Sequence, residues 1–484
     1  MNKYKFQRYE EKLESIAEET FSQAEYETTA EAISAAAFFL YNYNQFYYST
    51  HLEDLVLGLS KKLIRFKSWE SQKNKKILFY DGFGLDRRGI AIVTCKAICL
   101  AGYNLIYVSP LKNKNNQPTL SHELSRFNID WRYIDTDSSY LNEIKQICTV
   151  FEETQPEFAF LYTYPNDVSG TVVFDALKDK CIRCQLDLTD HAFWLGLNAF
   201  DICNGGRQFS ASIQHFYRGI PFEKMTQLDA NLFVDDCPFQ GLPFDENERF
   251  IFSGGSLYKT LGDENNTYYK IVDHILENHS DVKFLYAGTG DDTQMKNLIK
   301  KYSARVFLIS ERPDFYQIMK RCTLYLNTYP MFGGLMMRYA ALAGKIPITL
   351  KHGQDSDGIL IRQSERQIEY ESYEDLISDV DRLLSDSDYL TERTKILEGA
   401  VVTEQCFVRN IKMLIEDQKT GFPYSEIKPV DTTQFRKECL ERFTFENVVN
   451  SIAQQRHKFL IKYFPDIFIF ALFYKLKAKL RRIK

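Results

Sequence analysis

Over most of the chain, short apolar runs alternate with segments of helical period. Lys75–Asp81 is a β-rich run, followed by a helical pattern at Ile90–Ala101 and a strand at Asn104–Ser109. Further strands are expected at Asp130–Ile134, Phe158–Tyr162 and Gln185–Leu188. Apolar runs separated by helices predict parallel strands with crossover helices. The polar, proline-bearing stretch Asp235–Glu248 interrupts the pattern and marks a linker. Strands then resume at Arg249–Ser253, Lys283–Ala287, Val306–Ile309, Leu324–Asn327 and Ile346–Leu350, with helices at Tyr373–Ser385 and Thr403–Asp417. Residues 1–72 read as helical, with a charged periodic stretch at Glu10–Glu19 and an Ala-rich one at Ala30–Phe39. The aromatic cluster Tyr41, Tyr43, Phe46, Tyr47 and Tyr48 reads as a core stripe. The pattern predicts an α/β protein with two doubly wound, Rossmann-like halves at 73–240 and 241–425. A helical segment at 1–72 precedes them, and C-terminal helices with a basic amphipathic tail at 426–484 follow.

Composition narrows the class. The chain has 484 residues, 44% hydrophobic and 26% charged, which excludes a disordered, collagenous or small disulfide-stapled protein. A net charge of −5 argues against a nucleic-acid partner. That charge is an average over unlike parts. Residues 456–484 hold nine basic residues and one acid, Asp466. Eight consecutive apolar residues, Ile467–Tyr474, lead into that basic end. Too short to span a bilayer, this tail is expected to meet an anionic membrane surface. The N-terminal residues carry no apolar signal core, so the expected place is cytoplasmic, peripheral on the inner face of the membrane. Cys181 and Cys184 form a single pair with no second pair at ribbon spacing, so no metal is expected.

In open α/β sheets ligands bind beyond the carboxyl ends of the strands. In the second half, Gly254, Gly255 and Lys259 follow one strand, and Gly288-Thr289-Gly290 follows the next. Glycines let a ligand approach the backbone, and a lysine neutralises phosphate. Farther on, Asn327-Thr328-Tyr329-Pro330-Met331-Phe332-Gly333-Gly334-Leu335 ends a strand and opens a helix that carries Arg338. Free N–H groups and the positive dipole end at Gly333, Gly334 and Leu335 would make a pyrophosphate site.

This combination resembles the donor half of GT-B glycosyltransferases. The resemblance covers roughly 75–417 and is best at Phe252–Lys259 and Tyr325–Leu350. It implies two Rossmann-like domains facing a cleft, no metal or cofactor, and a nucleotide-sugar donor with its diphosphate at the helix begun by Gly333-Gly334. Many members carry a ribose-binding glutamate partway down that helix, where this chain has Tyr339. Many retaining members carry another eight residues earlier, where it has Met331.

In the first half, Gln185–Leu188 is followed by Asp190-His191 and an aromatic loop. This resembles the acceptor-domain loop of bacterial polysaccharide glycosyltransferases, where such a histidine faces the donor sugar. An imidazole is the side chain best suited to deprotonate an acceptor hydroxyl near neutral pH, with Asp190 orienting it or acting as base itself. Gly82, Gly84 and Arg87, with Arg88, occupy the first strand-to-helix turn and are acceptor-side candidates. Tyr162–Asp167 is a further candidate lining there. Arg218 reads as an inter-domain salt bridge, and Glu311-Arg312 lies where a nucleobase is often contacted. The expected function is transfer of a sugar from a nucleotide diphosphate to a glycan, lipid-linked or of the cell surface. The alternatives are a catalytically inactive GT-B subunit that binds a partner and a sugar-nucleotide epimerase. A NAD-linked enzyme fits less well, because Arg87 sits where the dinucleotide fingerprint needs its third glycine.

Overall fold

The computed structural model describes residues 2–67, 69, 73–86, 89–136, 139–235, 237–352, 358–421, 427–441 and 443–481, with side chains described between 4 and 473. The chain divides into two compact bodies, residues 1–229 with 407–484, and residues 230–406.

The first body is built on a seven-stranded sheet: β1 (Lys76–Asp81), β2 (Asn104–Pro110), β3 (Asp130–Ile134), β4 (Phe158–Tyr162), β5 (Ile182–Leu186), β6 (Ile202–Gly205) and β7 (Met225–Gln227). Its order is β3-β2-β1-β4-β5-β6-β7, and every pairing is parallel. β1 and β4 pair from Ile77 opposite Phe158 to Asp81 opposite Tyr162 and are buried along nearly their whole length. That is why they read as continuous apolar runs rather than alternating ones. β5 ends at Leu186, earlier than the expected Gln185–Leu188 strand, so Asp187 to His191 lie beyond the sheet. β6 (Ile-Cys-Asn-Gly) and β7 (Met-Thr-Gln) hold too few apolar residues to read as an apolar run.

The helical lead is not a separate domain. Tyr26–Tyr43 is buried on almost every side, and its Ala30, Ile33, Ala37 and Phe39 join one core with Leu78, Tyr80 and Leu161 of the sheet. Phe443, Val448, Leu460 and Ile467 of the C-terminal helices belong to the same core. Tyr43 and Tyr47 are buried, whereas Phe46 and Tyr48 are exposed. Local chemistry sets the helix starts: Ser49, Ser139 and Asp167 each accept an N–H bond from the first turn.

The second body repeats the architecture with β8 (Arg249–Gly254), β9 (Val282–Ala287), β10 (Val306–Ile309), β11 (Leu324–Leu326), β12 (Pro347–Leu350) and β13 (Glu369–Tyr370). Its order is β10-β9-β8-β11-β12-β13, again wholly parallel. The body begins at Ala230 rather than at 241, because the expected linker is a strap packed on it. Phe244 packs edge-on against Phe250 and tilted against Phe307, the Gln240 N–H donates to Asp314, and Arg321 lies over the Phe239 ring. Its other boundary falls within the helix Glu404–Asp417, not at 425.

The first body buries carboxyls at a cost. Burial pushes Glu31, Glu53 and Glu143 up to about 7. Their folded values lie above the unfolded ones, so the protonated forms stabilise the fold. That stabilisation is full in acid and is lost as pH rises through about 7. Thermal unfolding should therefore show a Tm at pH 6 that exceeds the Tm at pH 8 by about 2 °C or more. Glu31→Gln should narrow that gap. A Tm that is flat or rises from pH 6 to pH 8 would contradict the burial.

Candidate functional site

Each sheet reverses its strand order once, between β1 and β4 in the first body and between β8 and β11 in the second. The crossover connections leave a crevice at such a point, beyond the strand ends. Most candidate residues lie on loops at these two places, and Asp190 and His191 lie one strand away, after β5.

In the second body, Gly255 follows β8 with φ +131°, a conformation that side chains rarely adopt. Its N–H donates to the Ala287 carbonyl at 2.9 Å, and its own carbonyl accepts from the Tyr286 hydroxyl at 3.1 Å. A Cβ on Gly288 would lie 1.9 Å from that same carbonyl. The loops after β8 and β9 are therefore in backbone contact, and Gly288 is required by that contact. The Leu257 N–H donates to Thr289 at 2.9 Å, and the Lys259 carbonyl accepts from Met331 at 3.2 Å. The loop that carries Lys259 is thus tied to the one after β11.

Asn327 organises that third loop. It is buried, and its Oδ1 accepts from the N–H groups of Thr328 at 3.0 Å and Gly333 at 2.9 Å. The Gly333 N–H is therefore already committed. The first helical bond of Gly334–Leu342 runs from Met337 to the Gly333 carbonyl at 3.1 Å. The N–H groups of Gly334, Leu335 and Met336 have no acceptor among the described residues. They are the open donors at this end of the helix. Two side chains of this helix are already engaged, one of them a donor-side candidate. The Arg338 guanidinium donates to the Ala230 carbonyl, so the cation expected to aid a diphosphate is engaged with the start of this body. Tyr339, at the expected ribose position, is buried between Phe315 and Tyr316, and its hydroxyl donates to the Phe233 carbonyl. Arg312 pairs with the buried Asp314 instead of extending as a base contact.

In the first body, the loop after β5 is held by buried polar side chains from several elements. Asn44, in a left-handed conformation after the helix Tyr26–Tyr43, donates to the His191 carbonyl at 3.0 Å and accepts from the Phe193 N–H at 2.9 Å. Glu53 accepts from the N–H groups of Gly196 at 2.8 Å and Leu197 at 3.0 Å. Arg218 donates to the Ala192 carbonyl and lies 3.5 Å from Asp187, which also accepts from Gln214 at 3.0 Å. Arg218 is therefore a brace inside this body, not an inter-domain bridge. Its guanidinium stacks 4.5 Å from the Trp194 ring centroid.

Asp190 is buried and accepts a two-pronged bond from Arg207, at 2.7 and 3.1 Å, and a third bond from Ser210 at 2.8 Å. Burial alone would raise its pKa, but Arg207 and His191 outweigh burial and hold the carboxyl well below the usual range. A carboxylate so stabilised is a poor base, which removes the proton-accepting role expected of Asp190. His191 differs from its neighbours. Asp190 and Ala192 to Leu195 are buried, while the His191 side chain is 45% exposed. Its Nδ1 lies 3.6 Å from Asp190 Oδ1, an ion-pair distance rather than a hydrogen bond. Tyr41 and Phe435 present edges to the ring at 6.5 and 6.0 Å.

At the first sheet's own reversal, packing accounts for both glycines. A Cβ on Gly82 would lie 2.1 Å from Thr163 Oγ1, and one on Gly84 would lie 2.2 Å from Asn113. Phe83 packs at a tilt against Tyr162 and the half-exposed Tyr164, with ring centroids 4.7 and 4.5 Å apart. Arg87 and Arg88 lie outside the described residues. Asn44, Arg207, Ser210 and Asn327 were not legible as site residues. Each acts on backbone or on a charge brought near only by folding, and the sole local signal was Asn327 at the end of a strand.

No family model matches the chain, and no curated protein matches it. Solved structures do. An S. aureus TarM mutant in complex with fondaparinux, alpha-GlcNAc-glycerol and UDP aligns with a TM-score of 0.50 at 9% identity, over 71% of this chain and 100% of that chain. A Thermobaculum terrenum O-GlcNAc transferase mutant aligns with a TM-score of 0.48 at 14% identity, over 88% and 79% of the two chains. The UDP-GlcNAc 2-epimerase from Neisseria meningitidis, bound to UDP-GlcNAc, aligns at 0.46 and 13%, over 70% and 98%. At such identities the likeness is one of fold, and the first alignment carries it: the chain has the GT-B fold.

Two outcomes check this geometry. Gly288→Ala should destabilise the second body by about 2 kcal/mol, since backbone must move, whereas Gly206→Ala, with nothing within 4 Å, should be near neutral. Denaturant unfolding reads both. Asp190→Ala should cost the first body about 3 kcal/mol by removing the buried carboxylate that Arg207 and Ser210 bond, and His191→Ala should change stability by less than about 0.5 kcal/mol.

Proposed function

We propose that the chain is a sugar-transferring enzyme that binds a nucleoside diphosphate sugar on its second body and activates an acceptor hydroxyl with His191. The observation that supports this most is the set of open amides at Gly334, Leu335 and Met336, at the strand-order reversal of the second sheet and beside the loop of Lys259. Helix N-terminal amides and a lysine suit a diphosphate, whose charge grows as it leaves.

In the proposed reaction the acceptor hydroxyl gives its proton to His191 Nε2. Its oxygen bonds the sugar's anomeric carbon as the bond from that carbon to the diphosphate oxygen breaks. The nucleoside diphosphate departs, with its added charge met by the open amides and Lys259. Asp190 stays ionised throughout, held by Arg207, and faces the Nδ1 side of the ring while Nε2 takes the proton. The acceptor is a glycan, and the exposed Tyr164 beside Phe83 offers an aromatic face for a sugar ring.

One observation favours a second reading, in which the fold binds without transferring. The helix position of Tyr339 offers no carboxylate for a ribose, and its hydroxyl is already used. An epimerase would use the same donor with no acceptor.

Thermal shift with diphosphates of each nucleobase separates binding from none. One base should be preferred, and a ligand at a hundred times its Kd stabilises by about 2.7 kcal/mol. No response to any base would favour the non-catalytic reading. Release of nucleoside diphosphate and transfer of labelled sugar should both fall by about 100-fold or more in His191→Ala at unchanged Tm. Full turnover in that variant would remove His191 from the chemistry, and an epimeric nucleotide sugar as product would replace transfer with epimerisation.

A further inference from the structure

The C-terminal helix Pro465–Arg481 has two apolar faces. One is docked. Ile467 is fully buried in the core of the first body, and Phe468 and Ala471 pack against that core. Lys12 fixes the entry to the helix by donating to the Tyr463 carbonyl at 2.6 Å and lying over the Phe464 ring. The other face is open. Ile469 is 53% exposed and Phe473 68% exposed, with Leu472 also exposed. Spaced three and four residues apart, these share one side of the helix. Phe470 and Phe445, both exposed, meet beside them with ring centroids 5.2 Å apart.

A helix that rests one face on a protein core ordinarily turns polar residues outward. Here the outward face is aliphatic and aromatic, and the sequence beyond it is cationic. Residues 475–484 carry six basic residues and no acid. No helix among the described residues is long and apolar enough to cross a membrane.

We infer that this outer face is a docking surface for an anionic lipid bilayer. Ile469, Phe470, Leu472 and Phe473 enter the interfacial region, and the basic end meets the headgroups. Charge complementarity chooses this occupant. A second copy of the chain would bring one cationic end against another, whereas an anionic bilayer offers apolar depth and negative charge together. The inner face, locked by Ile467, gives the docked helix a fixed seat, so the surface is part of the fold rather than a loose tail. The inference is independent of what the strand-end loops bind.

The test is co-sedimentation of the full chain with sucrose-loaded vesicles of phosphatidylcholine alone or with about one-third phosphatidylglycerol. Binding should be roughly tenfold or more stronger to the anionic vesicles and should weaken as salt is raised. The double variant Leu472→Ser with Phe473→Ser should lose roughly tenfold on anionic vesicles at an unchanged Tm, because both side chains are exposed. Replacing Lys475, Lys477 and Lys479 by Gln should remove the preference for anionic lipid. Equal, weak partition on both vesicle types would overturn the inference. So would a dimer in sedimentation that the double serine variant converts to monomer without any change in lipid binding. A polyanion response that ignores the serine changes, seen with a single-stranded oligonucleotide in place of vesicles, would overturn it as well.

Discussion

Parallel strands cannot be joined by a tight hairpin, and the rest of this molecule follows from that constraint. Each connection must instead cross over the sheet, most of them through a helix and the one from β5 to β6 through the His191 loop, and in both bodies the strand order reverses once. Where it reverses, neighbouring strands send their chains apart, and the space beyond their ends is left to loops. The second sheet fills it with interlocked glycine turns and a helix start. The first fills the neighbouring position, after β5, with the His191 loop.

Those loops are rigid for different physical reasons. In the second body the rigidity is steric: the Gly255 carbonyl sits where a Gly288 side chain would be, and Asn327 gathers two backbone N–H groups on one oxygen. In the first it is polar. The loop runs among buried groups, so its backbone must find partners, and Asn44, Glu53 and Arg218 supply them from three separate segments. A charge buried in such a place needs its own counter-charge, and Arg207 answers Asp190. The outcome is one half-exposed imidazole displayed from a loop whose other side chains are mostly buried.

Much of the architecture was legible because buried parallel strands are apolar along their length. β1, β2, β4, β8 and β9 could be read from composition within a residue or two. β6, β7 and β13 could not, since polar residues break up what little apolar sequence they have, whereas the equally short β10 and β11 are apolar throughout. The glycine loops were legible as loops, but the reasons for particular glycines were not. Gly82 and Gly84 answer to Thr163 and Asn113, residues remote in sequence. The ends of the two bodies were misplaced for a related reason. A polar, proline-bearing stretch such as 235–248 looks like a linker until Phe239 and Phe244 are seen packed on the second body.

By itself, the sequence determined the α/β class, the two repeated halves, the strand-end positions of the candidate loops and the cationic end of the chain. All of these depend on local pattern and on covalent order. Only the tertiary structure decided what each candidate does. It turned Asp190 from a candidate base into a fixed anion and Arg338 and Arg218 from cleft or bridging cations into internal braces, and it made Tyr339 a buried clasp on Phe233. It also seated one face of the terminal helix and left the other open. A side chain's charge is written in the chain, but its partner, its burial and its freedom to act are set by segments that meet only when the protein folds.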